Sequence, residues 1–229
     1  MSRTQGRIQK IEPDAVDGEF EEFYGAVTAL LGRVPHFYRT ISNAPFLAML
    51  LLPINAAAQR EWPGTRVSGK LKEMVVIKTS HTNGCEYCYA HNTSLGQAAG
   101  ITHEQIIDIS SDNYLTSDRF NEREKAAILW AENMTRNTAQ KNGEVYDRLR
   151  ANFSEGEIVE ITMLCAMFNM INRINDSLDV LIEEQSEIDK IQASLHLNPA
   201  KMGDYLRWLA DHWPTEFDTM NKQAEDAAA

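Results

Sequence analysis

Apolar residues along the chain return every three or four positions and nowhere alternate with polar ones for a strand's length, which predicts helices throughout. In "FEEFYGAVTALLG", Phe20, Phe23, Tyr24, Val27, Leu30 and Leu31 make one stripe, ended by Gly32 as a C-cap. Pro35 breaks the chain, and residues 36–60 supply one or two more helices, with Asn43 as N-cap ahead of Pro45. Ser68 caps a helix through "GKLKEMVVIKTSHT", with Leu71, Met74, Val75 and Ile77 or Lys78 on one face and Asn83-Gly84 as the stop. The next helix starts near Cys85 and ends at Gly100, and Thr102 with Gln105 forms a capping box for a short one.

Two strongly helical segments follow, opened by Asn121/Glu124 and Ser154/Glu157 in capping-box spacing. The second runs on towards Glu184 and carries Ile158, Ile161, Met163, Leu164, Met167, Phe168, Ile171, Ile174 and Leu178, a central core helix by its pattern. Met163, Met167 and Met170 read as core or subunit interface. After a polar stretch, "MGDYLRWLADHWP" is a last amphipathic segment, with two readings: a cover over a neighbouring subunit or a wall narrowing the substrate opening. The end, "NKQAEDAAA", reads as frayed. With no linker and no repeat, the expectation is one all-α domain over 1–229.

Composition narrows the function. The 229 residues are 43% hydrophobic, enough for a sizeable core. The longest apolar run, Phe46 to Pro53, is far short of the roughly 20 residues a bilayer span needs. The polar N-terminus shows no secretory pattern, so a cytoplasmic protein without a membrane partner is expected. A formal charge of -11 repels nucleic acid. Three cysteines are too few and too odd in number for a disulfide-stapled fold, and a close pair points to redox or metal chemistry. Cys165, inside "ITMLCAMFNM", reads as a small buried hydrophobe.

The close pair is Cys85 and Cys88 in "NGCEYCYAHN". At a helix start the two sulfurs share one face, near enough to bond, and the free N–H groups there favour a thiolate. Glu86, one position inside, faces solvent on this reading. Zinc sites use the same spacing, with His91 and His81 as further ligands, but a second cysteine pair is missing and no metal is assigned. Glu73, twelve residues before Cys85, is a candidate base that the antiparallel return of its helix brings back towards the thiols. His81 reads as a solvated helix-end residue, and His36, His103, His196 and His212 as surface histidines.

The run from Glu73 to Cys88, E-x11-C-x2-C with a nearby histidine, resembles the AhpD-like alkylhydroperoxidases of the carboxymuconolactone decarboxylase superfamily. The two later helices are similar as well, ending on Asn172, Arg173 and Asp176, so the resemblance covers roughly residues 40–182, with 183–229 a C-terminal helical extension. It implies an AhpD-like helical bundle, a trimer or hexamer, and reduction of a hydroperoxide without flavin, haem or nicotinamide. It also implies roles: Cys88 attacks the peroxide and becomes a sulfenic acid, Cys85 resolves it to a disulfide, Glu73 assists deprotonation, and an external dithiol restores the pair. His91 is the histidine of the relay, yet the family has its histidine one residue later, where this chain has Asn92. On an ideal helix His91 lies about 60° from Cys88 and about 120° from Cys85, whereas Asn92 lies about 20° from Cys85. The superfamily also holds non-redox decarboxylases and isomerases acting on aromatic-degradation intermediates. A lyase using Glu73 and His91 as acid and base is the alternative, and a zinc-stabilised binding module a third class.

Overall fold

The computed structural model describes residues 6–213 and 217–228. In chain order its α-helices are α1 (Gly18–Leu31), α2 (His36–Ile41), α3 (Pro45–Gln59), α4 (Gly69–Asn83), α5 (Glu86–Ala98), α6 (His103–Ser110), α7 (Glu122–Thr135), α8 (Gly143–Asn152), α9 (Glu155–Leu178), α10 (Gln185–Ile188), α11 (Pro199–His212) and α12 (Phe217–Ala228). The fold is all-α, and among the described residues the only β pairing is an isolated bridge of Glu61 with His196. None of the described helices is long and apolar enough to cross a membrane.

The chain divides into two compact units, Pro63–Ser177 and a second built from Met1–Trp62 with Leu178–Ala229. In the second unit the α1 stripe is buried as its spacing predicts, and Gly32 ends the helix at φ 85°, a left-handed conformation that a residue without Cβ adopts readily. Phe23 meets Tyr38 and Tyr205 at ring distances of 6.4 and 6.5 Å. The Tyr205 hydroxyl donates to the Met49 carbonyl at 2.7 Å, and the Trp208 indole donates to Glu22. The aromatic residues of α11 thus pack into their own unit. The terminal Pro214 of that segment lies outside the described residues.

Three boundaries differ from expectation. Ala44, not Asn43, is the N-cap of α3, because the Asn43 amide donates instead to the carbonyls of Gln9 (2.8 Å) and Thr40 (3.0 Å). The long helix stops at Leu178 rather than near Glu184: Asp179 turns left-handed at φ 54°, and the Leu178 carbonyl takes the backbone N–H of Arg7 at 3.0 Å. The end expected to fray is the helix α12, which buries Met220 and Ala224 four residues apart on one face.

In the Pro63–Ser177 unit, α4 is the centre. One buried face was expected, yet Leu71 to Ser80 are all buried, because α5, α6 and α7 pack on α4 and α9 reaches it through polar side chains. Its two buried lysines are answered inside the unit: Lys72 Nζ lies 3.1 Å from Glu160, and Lys78 Nζ meets Asp112, lies 3.2 Å from Glu132 and donates to the Ile109 carbonyl. Buried charges persist only when paired in this way. Helix α9 buries Ile158, Ile161, Leu164, Met167, Phe168 and Ile171, but Met163 is 63% exposed and Met170, seven residues on, shares its outer face. Both capping boxes read at Thr102 and Asn121 form with both arms bonded. At Ser154 the Glu157 carboxylate instead accepts from both the backbone N–H and the hydroxyl, each at 2.8 Å.

Candidate active site

The site begins with the turn between α4 and α5. Gly84 takes φ 68°, its N–H bonds to the His81 carbonyl, and the Cys85 N–H reaches back to the Ser80 carbonyl, each at 3.0 Å. This pair is the Schellman closure of α4, which leaves no spacer before the next helix. Cys85 is therefore also the N-cap of α5, where its sulfur accepts the backbone N–H of Cys88 at 3.4 Å. A thiolate there sits at the positive end of the helix dipole. Glu86 is exposed in the first turn, as expected.

Both thiols are free and buried, Cys85 4% and Cys88 3% exposed. Cys88 lies one turn into the helix, and its sulfur accepts the Asn175 amide from α9 at 3.2 Å, with the Asn172 amide also bearing on it. Asn172 is itself held by a bond from the Asn83 amide (2.9 Å) and by donating to Ser80 (3.3 Å). The two thiols are driven apart in acidity. Cys85 is lowered below the usual thiol range, first by the Cys88 side chain bonding to it and further by backbone N–H groups at the helix start. Cys88 is pushed well up, first because it is the donor to Cys85 and then by burial. Cys85 is therefore the more acidic thiol of the pair.

As pH rises the thiolate, the form that reacts with electrophiles, appears on Cys85 first. At neutral pH a limiting amount of iodoacetamide is expected to label Cys85 at least about tenfold faster than Cys88, the ratio given by one unit between two ionisations. Peptide mapping of the labelled protein checks this, and equal labelling of both thiols across pH 6 to 10 (about four units) would remove the assignment.

The other predicted residues lie on the same two helices. Glu73 is 1% exposed on α4, on the face that meets α5 at Gly96, where a Cβ would stand 3.6 Å from the Glu73 Cβ and 3.0 Å from Ile77. The antiparallel return sets Glu73 against α5 at Gly96, two turns beyond Cys88. His91, 4% exposed, stacks on Tyr87 at 4.2 Å, and its Nδ1 is 2.7 Å from the Tyr87 carbonyl. Asn92 is buried and donates to the Cys88 carbonyl at 2.6 Å. His81 is exposed at the end of α4, and among the described residues no three His, Cys, Asp or Glu side chains converge as metal ligands. Cys165 is fully buried among Thr79, Thr135 and Ala131, the inert position its apolar context predicts.

Sequence reasoning missed Asn175 as a site residue and treated Asn172 only as part of a family ending. The signal was present: Asn169, Asn172 and Asn175 recur at three-residue spacing along an otherwise apolar stripe, where a buried amide needs a polar partner.

An all-α unit presenting a Cys-x-x-Cys pair at a helix N-terminus, with amides from a second helix on the inner sulfur, defines the class. Residues 53–133 match the profile of the Carboxymuconolactone decarboxylase family. The uncharacterized protein YdfG of Bacillus subtilis (strain 168) is 29% identical over 105 residues, 45% of this chain and 70% of that protein. The fold is similar to that of a peroxidase-related protein with an AhpD core from Ralstonia eutropha JMP134, at 19% identity and TM-score 0.69 over 86% of this chain and 100% of that one. It is similar also to the debrominase Bmp8, solved as a cysteine-to-alanine variant in complex with 2,3,4-tribromopyrrole, at 23% identity and TM-score 0.65 over 83% of this chain and 98% of that one.

Proposed function

We propose that the protein is a cytoplasmic thiol peroxidase that reduces a hydroperoxide to an alcohol and water with Cys88 and Cys85, without a bound cofactor or metal. The observation that carries this reading is the amide-lined sulfur of Cys88 one turn from Cys85, the sulfur that caps the helix start and is the more acidic of the two. Cys85 takes the proton of Cys88 along their shared hydrogen bond, and the charge moves to Cys88, where the amides of Asn175 and Asn172 stabilise it. Cys88 Sγ then attacks the terminal peroxide oxygen. An S–O bond forms, the O–O bond breaks, and the departing alkoxide takes a proton to become the alcohol. Sulfur has lost two electrons and is a sulfenic acid. Cys85 attacks that sulfur, hydroxide leaves and is protonated to water, and a disulfide remains for an external dithiol to reduce. Glu73 and His91, both buried, carry protons to and from the pair. A trimer or hexamer is the assembly that goes with this reading.

One equivalent of hydrogen peroxide or cumene hydroperoxide is expected to remove two free thiols and two hydrogen masses from the intact protein. A non-redox lyase leaves the mass unchanged, and that outcome would sink the proposal. The likeness to Bmp8 favours a second substrate class, a halogenated aromatic whose carbon–halogen bond the same dithiol reduces. The disulfide product is identical, so the two are separated by substrate: oxidation by tribromopyrrole with release of bromide, and none by hydroperoxides, would select the second.

A further inference from the structure

The Asn175 side chain has one half committed and one half open. Its Nδ2 donates to the Ile171 carbonyl at 3.1 Å and to the Cys88 sulfur at 3.2 Å. A carbonyl only accepts, so the Ile171 bond fixes which end of the amide faces Cys88. The Oδ1 on the other end is buried, on a residue 3% exposed, with no hydrogen-bond partner among the described residues. A buried acceptor left unmatched is unfavourable, and beside a reactive sulfur it is available to a donor that arrives with the ligand.

We propose that Asn175 is a substrate-contacting residue of the thiol site: its Oδ1 accepts the O–H of the incoming hydroperoxide while its Nδ2 holds the sulfur that attacks it. The proposal rests on the peroxidase reading and adds the group that orients the substrate. Hydrogen peroxide and alkyl hydroperoxides both carry the required O–H on the oxygen that sulfur attacks. That oxygen keeps its hydrogen as it passes to Cys88, so the same Oδ1 accepts from the sulfenic acid, and the bond made to the substrate survives the S–O bond formation. No redox partner beyond the peroxide and the thiol is required for this step. Because one amide touches both reactants, it sets their approach, which is the geometric part of the rate.

The test separates the two halves of the amide. In the full chain carrying Cys85→Ser, two rates at Cys88 are followed by intact mass across pH: alkylation by iodoacetamide, which needs the sulfur alone, and oxidation by cumene hydroperoxide, which needs sulfur and substrate contact. Asn175→Ala is expected to slow both, and to lower the ratio of oxidation to alkylation by a further factor of about ten, the worth of one hydrogen bond. Asn175→Asp keeps an acceptor and adds a charge beside the sulfur, so its alkylation profile moves to higher pH while the ratio stays within about threefold of the parent. Asn175→Leu, similar in volume, repeats the alanine result if the smaller side chain unfolds the protein. Equal loss in both rates for the alanine and leucine variants would overturn the substrate contact, as would an unchanged oxidation rate. If the wild-type chain itself is not oxidised by hydroperoxide, the peroxidase reading has failed before Asn175 is reached.

Discussion

Cys88→Ser is expected to lower hydroperoxide turnover by about a thousandfold or more, because a serine hydroxyl in the same amide setting stays protonated and is a poor nucleophile. Cys85→Ser is a different lesion. On the proposed mechanism it leaves the attacking sulfur but removes both its proton acceptor and the resolving thiol, so a single peroxide equivalent adds one oxygen mass to Cys88 more slowly, trappable by dimedone, and turnover with a dithiol donor slows. Peroxide consumption with dithiothreitol as donor, with intact mass alongside, reads both variants. A dimedone adduct on Cys85 in the Cys88→Ser protein would reverse the two roles, and full activity of that protein would end the thiol mechanism. The greater acidity of Cys85 makes this a demanding test, since the thiol that alkylates first and the thiol that peroxide oxidises are expected to differ.

Lys78→Ala is expected to destabilise the Pro63–Ser177 unit by about 1.5–3 kcal/mol, the worth of a hydrogen bond to a charged group, because Glu132 is not left without partners. The Lys78 side chain is 1% exposed, 3.2 Å from Glu132, with its ammonium 4.8 Å over the Tyr114 ring. Tyr114 donates to the same Glu132 at 2.7 Å, so the carboxylate left behind keeps one donor there and Arg136 on its outer side. Asp112, more than half exposed, contributes little. The double variant Lys78→Met with Glu132→Gln removes both charges and is expected to recover most of the loss. Urea unfolding at neutral pH measures each, and a Lys78→Ala loss below about 1 kcal/mol would show that water reaches the pair. Stability of α4 bears on function because its Schellman closure positions Cys85.

The helices themselves were legible because their signals are local. Three-and-four spacing, Gly32 and Gly84 at positive φ, Ser68 as a cap and the boxes at Thr102 and Asn121 depend on residues within one or two turns. So did the site's outline: a Cys-x-x-Cys run straight after a glycine turn can hardly place its first sulfur anywhere but a helix start. The errors fall where a distant segment competes for a group. Asn43 was read as a cap, but Gln9 takes its amide, and α9 ends early where Arg7 takes the Leu178 carbonyl. Burial of both faces of α4, lysines included, follows from three helices packing on it, which no pattern within α4 records.

The histidine divides the two kinds of information. Its register, one residue short of the family position, is a property of the sequence. That the imidazole stacks on Tyr87 while amides from α9 reach the Cys88 sulfur is a property of the packed unit. By itself the sequence determined an all-α chain with a thiol pair at a helix start, since backbone bonding and caps act over a few residues. Only the tertiary structure decided which side chains surround the inner sulfur, because Asn175 and Cys88 are 87 residues apart along the chain and meet only when the apolar faces of α9 and α5 are buried.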